Sequence, residues 1–139
     1  MKKLTIFLMV LAFLGVAHAK NEVHRFPIAD ALNDPRAKEV LNPKIKLVFG
    51  SGSKAKAITD VLTANKKTNA AFKKDKDACN WAFLSAIKTF QERAVKEGGT
   101  KVVNLTSYYY KNKFVSKKEF ECGVGNIMVG VTLQGVIAK

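Results

Sequence analysis

The sequence predicts an α+β domain, a small and mostly antiparallel sheet packed by one long helix, and three observations carry that reading. Across residues 78–97, Cys79, Phe83, Ala86, Ile87, Phe90 and Ala94 recur at helical spacing. Before and after that stretch, short runs alternate apolar and polar residues at the two-residue period of a strand, among them residues 44–49 and 126–136. The 139 residues include two cysteines, Cys79 and Cys122, one in the helix and one before the last strand. A length of this order fits one domain.

Residues 1–19 read as a cleaved secretory signal peptide. Lys2 and Lys3 precede an apolar run broken only by Thr5 and Gly15, and Ala17-His18-Ala19 supplies small residues at the peptidase positions. The run falls short of the roughly 20 apolar residues that a membrane-spanning helix needs. The expected address is therefore the periplasm or the exterior of a bacterium, with no transmembrane segment in the mature chain. No cysteine follows the leader to take a lipid.

Residues 20–43 are polar and punctuated by Pro27, Pro35 and Pro43, which predicts an irregular or short-helical lead-in. Residues 28–32 and 36–41 suit a turn or two of helix each. The single α+β domain is expected to span residues 44–139. Its first strand, 44–49, places Ile45, Leu47 and Phe49 on one face, and Gly50-Ser51-Gly52-Ser53 turns the chain. Residues 57–64 fit either period, and a strand pairing back on the first is preferred. Asp75 and Asp77 suit the positive end of the long helix, and Gly98-Gly99 stops it. Trp81 and Leu84 lie off its main stripe, so the stripe is broad or Trp81 meets a neighbouring loop.

Residues 101–110 are rich in valine, threonine and tyrosine and predict a strand. Lys111-Asn112-Lys113 begins a polar connection, residues 116–121 read as charged and irregular, and Gly123 and Gly125 allow a close backbone approach. The last strand puts Ile127, Val129, Val131 and Leu133 on one face and Gly130 on the other, where a neighbour can pack closely.

Outside the cytoplasm the two cysteines pair most simply as one disulfide, Cys79–Cys122. The chain-entropy treatment of a loop this long gives about 4 kcal/mol of stabilisation. The formal charge is +13, of which the leader accounts for Lys2 and Lys3, so the mature chain stays strongly basic. Such a charge favours anionic partners: lipid headgroups, lipopolysaccharide phosphates, cell-wall polymers or released nucleic acid.

Catalytic equipment is sparse. His24 is the only histidine beyond the leader, near the start of the mature chain, which leaves no Ser-His or Cys-His arrangement in view. Glu119 and Glu121 sit among lysines, where ion pairing is the ordinary role. The run Gly50-Ser51-Gly52-Ser53-Lys54-Ala55 departs from a nucleotide-binding loop, which needs lysine directly after the last glycine and a hydroxyl after the lysine. No catalytic residue, metal ligand set or cofactor is assigned. The candidate ligand surface is Tyr108, Tyr109, Tyr110, Lys111, Lys113, Phe114, Lys117 and Lys118, where rings beside ammonium groups suit bases, sugars or lipid headgroups.

Over residues 66–137 the chain resembles a family of small exported bacterial proteins often named "excinuclease ATPase subunit". The matching pieces are Lys67-Thr68-Asn69-Ala70, Asp77-Ala78-Cys79 with Trp81-Ala82 and Ser85-Ala86, Val102-Val103, Ser107-Tyr108-Tyr109, Glu119-Phe120-Glu121-Cys122, Val129-Gly130-Val131 and Gly135. The name conflicts with the residues, since this chain has neither a nucleotide loop nor the cysteines for zinc. More distantly, the helix and closing strands are similar to the lipoprotein sensor of the Rcs envelope-stress pathway and to a pentameric α+β family described as heavy-metal-binding. This chain lacks the sensor's lipid-attachment cysteine and any cluster of metal ligands. The functional expectation is a noncatalytic, basic binding protein of the periplasm or exterior, for an anionic envelope component or partner protein. An envelope-stress sensory or structural protein, and a hydrolase of cell-wall or nucleic-acid polymers, are the alternatives.

Overall fold

A computed structural model describes residues 20–139; the predicted leader lies outside the described residues. Along the chain run β1 (Asn21–Pro27), α1 (Ile28–Leu32), α2 (Ala37–Val40), β2 (Lys46–Phe49), β3 (Leu62–Asn69), α3 (Asp75–Glu97), β4 (Lys101–Tyr109), β5 (Asn112–Phe114), β6 (Glu119–Gly125) and β7 (Met128–Ala138). The strands form one curled, mostly antiparallel sheet with α3 packed against it, so the α+β class holds.

Helix α3 forms where its period predicts. Asp75 and Asp77 occupy its first turn, and Gly98, at φ 72°, ends it in the left-handed conformation that glycine adopts without strain. Every residue of the predicted stripe is buried, and so are Asn80, Leu84 and Gln91. The stripe is broad because the helix has neighbours on two sides, the sheet and the α1–α2 segment. Gln91 makes burial of an amide tolerable by bonding fully: its Oε1 accepts from the Asn42 N–H at 2.8 Å, and its Nε2 donates to the carbonyls of Asn42 and Ile45 at 3.0 and 3.1 Å. Trp81 does meet a loop. The Arg36 guanidinium lies 5.3 Å over its ring, gripped by Asp34 at 2.7 and 2.9 Å, and donates to the Asp77 carbonyl at 3.1 Å. That grip holds the Asp34 carboxyl below its ordinary pKa and raises that of Arg36.

Strand β7 is the spine of the sheet. One edge pairs antiparallel with β3, from Leu62↔Gly135 to Asn69↔Met128. The other edge pairs first with β6, at Gly123↔Gly130 and Val124↔Val129, and then with β4, from Ser107↔Leu133 to Lys101↔Ala138. Val129, Val131, Leu133 and Ile137 turn inward and join Phe83, Ile87, Phe90 and Phe120 in the core. A bulge in β4, where Asn104 has φ 53°, shifts the register between Val103 and Thr106. On the outer face Val103, Val136 and Ala138 form a small second cluster under Ala55.

Four local expectations are corrected. Residues 21–27 are strand, not irregular lead-in: β1 pairs with β6 from Asn21↔Gly125 to Pro27↔Glu119, so the sheet begins ahead of the expected boundary at 43/44, although α1 and α2 appear within the lead-in. Its signal is weak because an edge strand buries little, chiefly Phe26, whose ring lies 6.1 Å from Phe120. Residues 119–125 are likewise strand, with Phe120, Cys122 and Val124 turned into the core between outward glutamates and glycines. The strand sought in residues 57–64 lies at 62–69 and pairs with β7, while β2 runs parallel to β4; the Gly50–Gly52 segment is therefore no hairpin turn. Finally, Lys111-Asn112-Lys113 is no open connection. Tyr110 and Lys111, at φ 49° and 62°, form a two-residue turn that returns β5 along β4.

Cys79 and Cys122 form the disulfide, with Cα atoms 6.0 Å apart and both residues fully buried. The bridge ties the first turns of α3 to the middle of β6, a strand with core residues of its own. No helix among the described residues is long and apolar enough to cross a membrane. Replacing both cysteines by alanine is expected to lower stability by about 3–4 kcal/mol, because the 43-residue separation leaves a long loop unclosed in the unfolded chain. Chemical denaturation of the oxidised protein and the double variant, read by circular dichroism, measures the difference.

Candidate functional site

The outer face of the sheet carries the site. Alternation along β3 sends Ala64 into the core and leaves Thr63, Asn65 and Lys67 exposed. Their register partners on β7 are Gln134, Thr132 and Gly130. Across this face stand Tyr108 and Tyr109 at the end of β4, with Tyr110 and Lys111 in the turn beyond. Together Thr63, Asn65, Lys67, Thr132 and the Tyr108–Lys111 run line a groove of about 510 Å³.

Tyr109 sets the shape of the groove, and two glycines set Tyr109. Gly123 and Gly130 are cross-strand partners of β6 and β7. A Cβ on Gly123 would lie 1.9 Å from Cζ of the Tyr109 ring, and one on Gly130 would lie 3.6 Å from its Cε2. The ring therefore rests on bare backbone. What packs closely at Gly130 is a side chain, and the same holds at Gly123, where a backbone approach was expected. The Tyr110 ring meets Tyr109 edge-on at 4.5 Å and is itself largely exposed. Burial pushes the Tyr109 phenol above its ordinary pKa, and the hydrogen bond and proximity of Tyr110 push the same way. It stays neutral, so the lining combines two lysines, an amide, hydroxyls and aromatic rings without a carboxylate.

The predicted ligand surface divides. Tyr108, Tyr109, Tyr110 and Lys111 line the groove; Lys113, Phe114, Lys117 and Lys118 do not. The tight turn at Tyr110-Lys111 is the cause, because it carries the following residues back along β4. Lys113 is the register partner of Tyr108, Phe114 lies 3.9 Å beneath the Arg25 guanidinium, the Lys117 stem covers Gly50, and the Lys118 carbonyl accepts the Ile28 N–H at 2.8 Å. Thr63, Asn65, Lys67 and Thr132 were missed. Their one sequence signal is the period-two polar run Thr63-x-Asn65-x-Lys67, which resembles any solvated strand face.

Two of the groups weighed for catalysis have side-chain partners. His24 lies in β1 and contacts Glu22 at 2.7 Å, and Glu121 pairs with Arg25 at 3.3 Å. Among the described residues no three His, Cys, Asp or Glu side chains gather as a metal site. A shallower hollow beside Asp60 is lined by Arg93 and Glu97, which pair with each other at 2.8 Å. Fold and groove together define a disulfide-bonded α+β domain that presents a basic, tyrosine-walled cleft on its sheet. Comparison with protein-family models, curated proteins and solved structures returned no match.

Gly123→Ala is expected to cost about 1–3 kcal/mol, since the new methyl must displace the Tyr109 ring. In a Tyr109→Ala background the same change should cost less by at least about half. A double-mutant cycle by urea denaturation checks the coupling; additive effects would mean that the ring does not rest on Gly123.

Proposed function

We propose that the protein is a noncatalytic, exported binding protein whose tyrosine–lysine groove takes an anionic component of the bacterial cell envelope. The observation that carries this reading is the lining itself. Lys67 on β3 and Lys111 in the turn beyond β4 supply positive charge, the Tyr108–Tyr110 run supplies aromatic groups, and Thr63, Asn65 and Thr132 supply hydrogen-bonding groups. Rings with amide and hydroxyl groups suit a sugar, and paired ammonium groups suit its phosphate or carboxylate substituents.

The wider chain agrees with that assignment. The strongly positive charge that remains without the leader's Lys2 and Lys3 steers polyanions toward any face of the molecule, while the groove offers the place where orientation matters. The buried disulfide suits folding outside the cytoplasm. The resemblance to small exported bacterial proteins points to the same compartment.

The test is calorimetric titration of the purified protein with lipopolysaccharide and with a neutral glucan of similar length. Binding to the first and not to the second is expected, weakening with salt. Each exposed ion contact contributes about 0.5–1 kcal/mol, so Lys67→Ala with Lys111→Ala should weaken binding roughly five- to thirtyfold. A double variant that binds as tightly as the parent would refute the groove as the site.

A further inference from the structure

A second feature stands apart from the groove, at the end of the molecule where β3 passes into α3. The loop there holds Phe72 wholly in solvent at φ 60°, a left-handed conformation that is uncommon and costly for a bulky residue other than glycine. Nothing in the core requires that exposure, since Ala70 and Ala78 on either side are buried. The neighbouring turn between β6 and β7 is tied to this loop. The Ala70 N–H donates to the Ile127 carbonyl at 2.7 Å, immediately beyond the Asn69↔Met128 register pair. Ile127 is 62% exposed and Met128 40%. Two adjacent turns, with the first residue of β7, thus hold out three large apolar side chains.

The charges around them are arranged to one sign. Lys73 and Lys74 follow Phe72 directly, are exposed, and pair with no carboxylate among the described residues. The acids that follow in sequence, and the one that pairs with Lys76, are already engaged: Asp75 by Lys20, Asp30 by Lys76, and Asp77 beside Arg36. What remains unneutralised at the tip is positive.

We infer that this tip docks on an anionic lipid bilayer, with Phe72 and Ile127 entering the boundary between headgroups and acyl chains and Lys73 and Lys74 facing the lipid phosphates. Exposed apolar side chains beside lysines unpaired among the described residues favour an anionic bilayer over a folded partner. Phe72 stands wholly in solvent and Ile127 largely so; a folded protein would need a hollow to receive such a protruding ring, whereas a fluid interface closes around it. The order of residues agrees, because lysines beside a buried ring can keep their stems in the apolar layer and their ammonium groups at the phosphates. Binding of this kind is reversible and salt-sensitive. It uses residues other than those of the groove and stands or falls separately.

The test is sedimentation of the purified protein with vesicles of phosphatidylglycerol in phosphatidylcholine, against vesicles of phosphatidylcholine alone. Binding to the anionic vesicles only is expected, with at least about a tenfold loss in Phe72→Ser/Ile127→Ser. Circular dichroism of that variant checks that the fold persists. Phe72→Trp, in a Trp81→Phe background, should show blue-shifted emission and quenching by brominated lipid. Absence of binding, equal binding by the serine variant, or an unshifted tryptophan would each overturn the inference, the last by reducing the contact to surface charge. Lys67→Ala/Lys111→Ala should sediment like the parent; if it alone fails to bind, the lipid contact belongs to the groove and the tip plays no part.

Discussion

The close contact of α3 with β7 is the constraint on which the rest of the molecule depends. Strand β7 carries β3 on one edge and β6 and β4 on the other, so the placement of α3 on β7 sets where the neighbouring strands meet the helix. The approach is close because Gly135 has no side chain there. A Cβ at that position would come within 2.9 Å of Leu105 and 3.3 Å of the Phe90 ring. The alternation of β7 then divides the labour of the sheet: Val129, Val131 and Leu133 face the helix, while Gly130 and Thr132 face the groove. A slip of one residue would exchange these sets, so the core fixes the register of the groove without touching it.

Three ties keep the helix in place on that strand, each with a different physical origin. The disulfide acts at its first turns by restricting the unfolded chain. Gln91 acts at its second half, where a single buried amide satisfies backbone groups at Asn42 and Ile45 that would otherwise be stranded. Arg36 acts from outside, stacking on Trp81 and bonding the Asp77 carbonyl while Asp34 holds it in position. The segment before β2 is thereby part of the domain's structure, with β1 closing the far edge of the sheet.

Much of this was legible in the sequence, and the parts that were not share a cause. Helix α3 could be read almost entire because Cys79, Phe83, Ile87, Phe90 and Ala94 repeat through many turns, and Gly98 marks the stop. The β4 and β7 runs announce themselves by valine, threonine and alternation. Strand β1 was hidden because it lies at an edge where few of its residues are buried, and β6 because Glu119, Glu121 and two glycines disguise the inward Phe120, Cys122 and Val124. The partner of β3 is not written locally at all, since a polar strand face fits many neighbours. The groove was half visible for the same reason. Its tyrosines lie together in the chain, but the opposite wall comes from β3 and the floor from two glycines brought into register only by the sheet. The turn at Tyr110-Lys111 lacks the asparagine–glycine signal of such turns, and without it Lys113 to Lys118 looked like a continuation of the same surface.

Hydrogen exchange measured amide by amide on the oxidised protein tests the central role of β7 most directly. The amides of β7 paired to β3 and β4, together with those in the middle of α3, should exchange slowest and only through global unfolding, while β1 and β5 exchange faster through local opening. Exchange of β7 as rapid as that of β1, with protection concentrated at the edges of the sheet, would contradict the account.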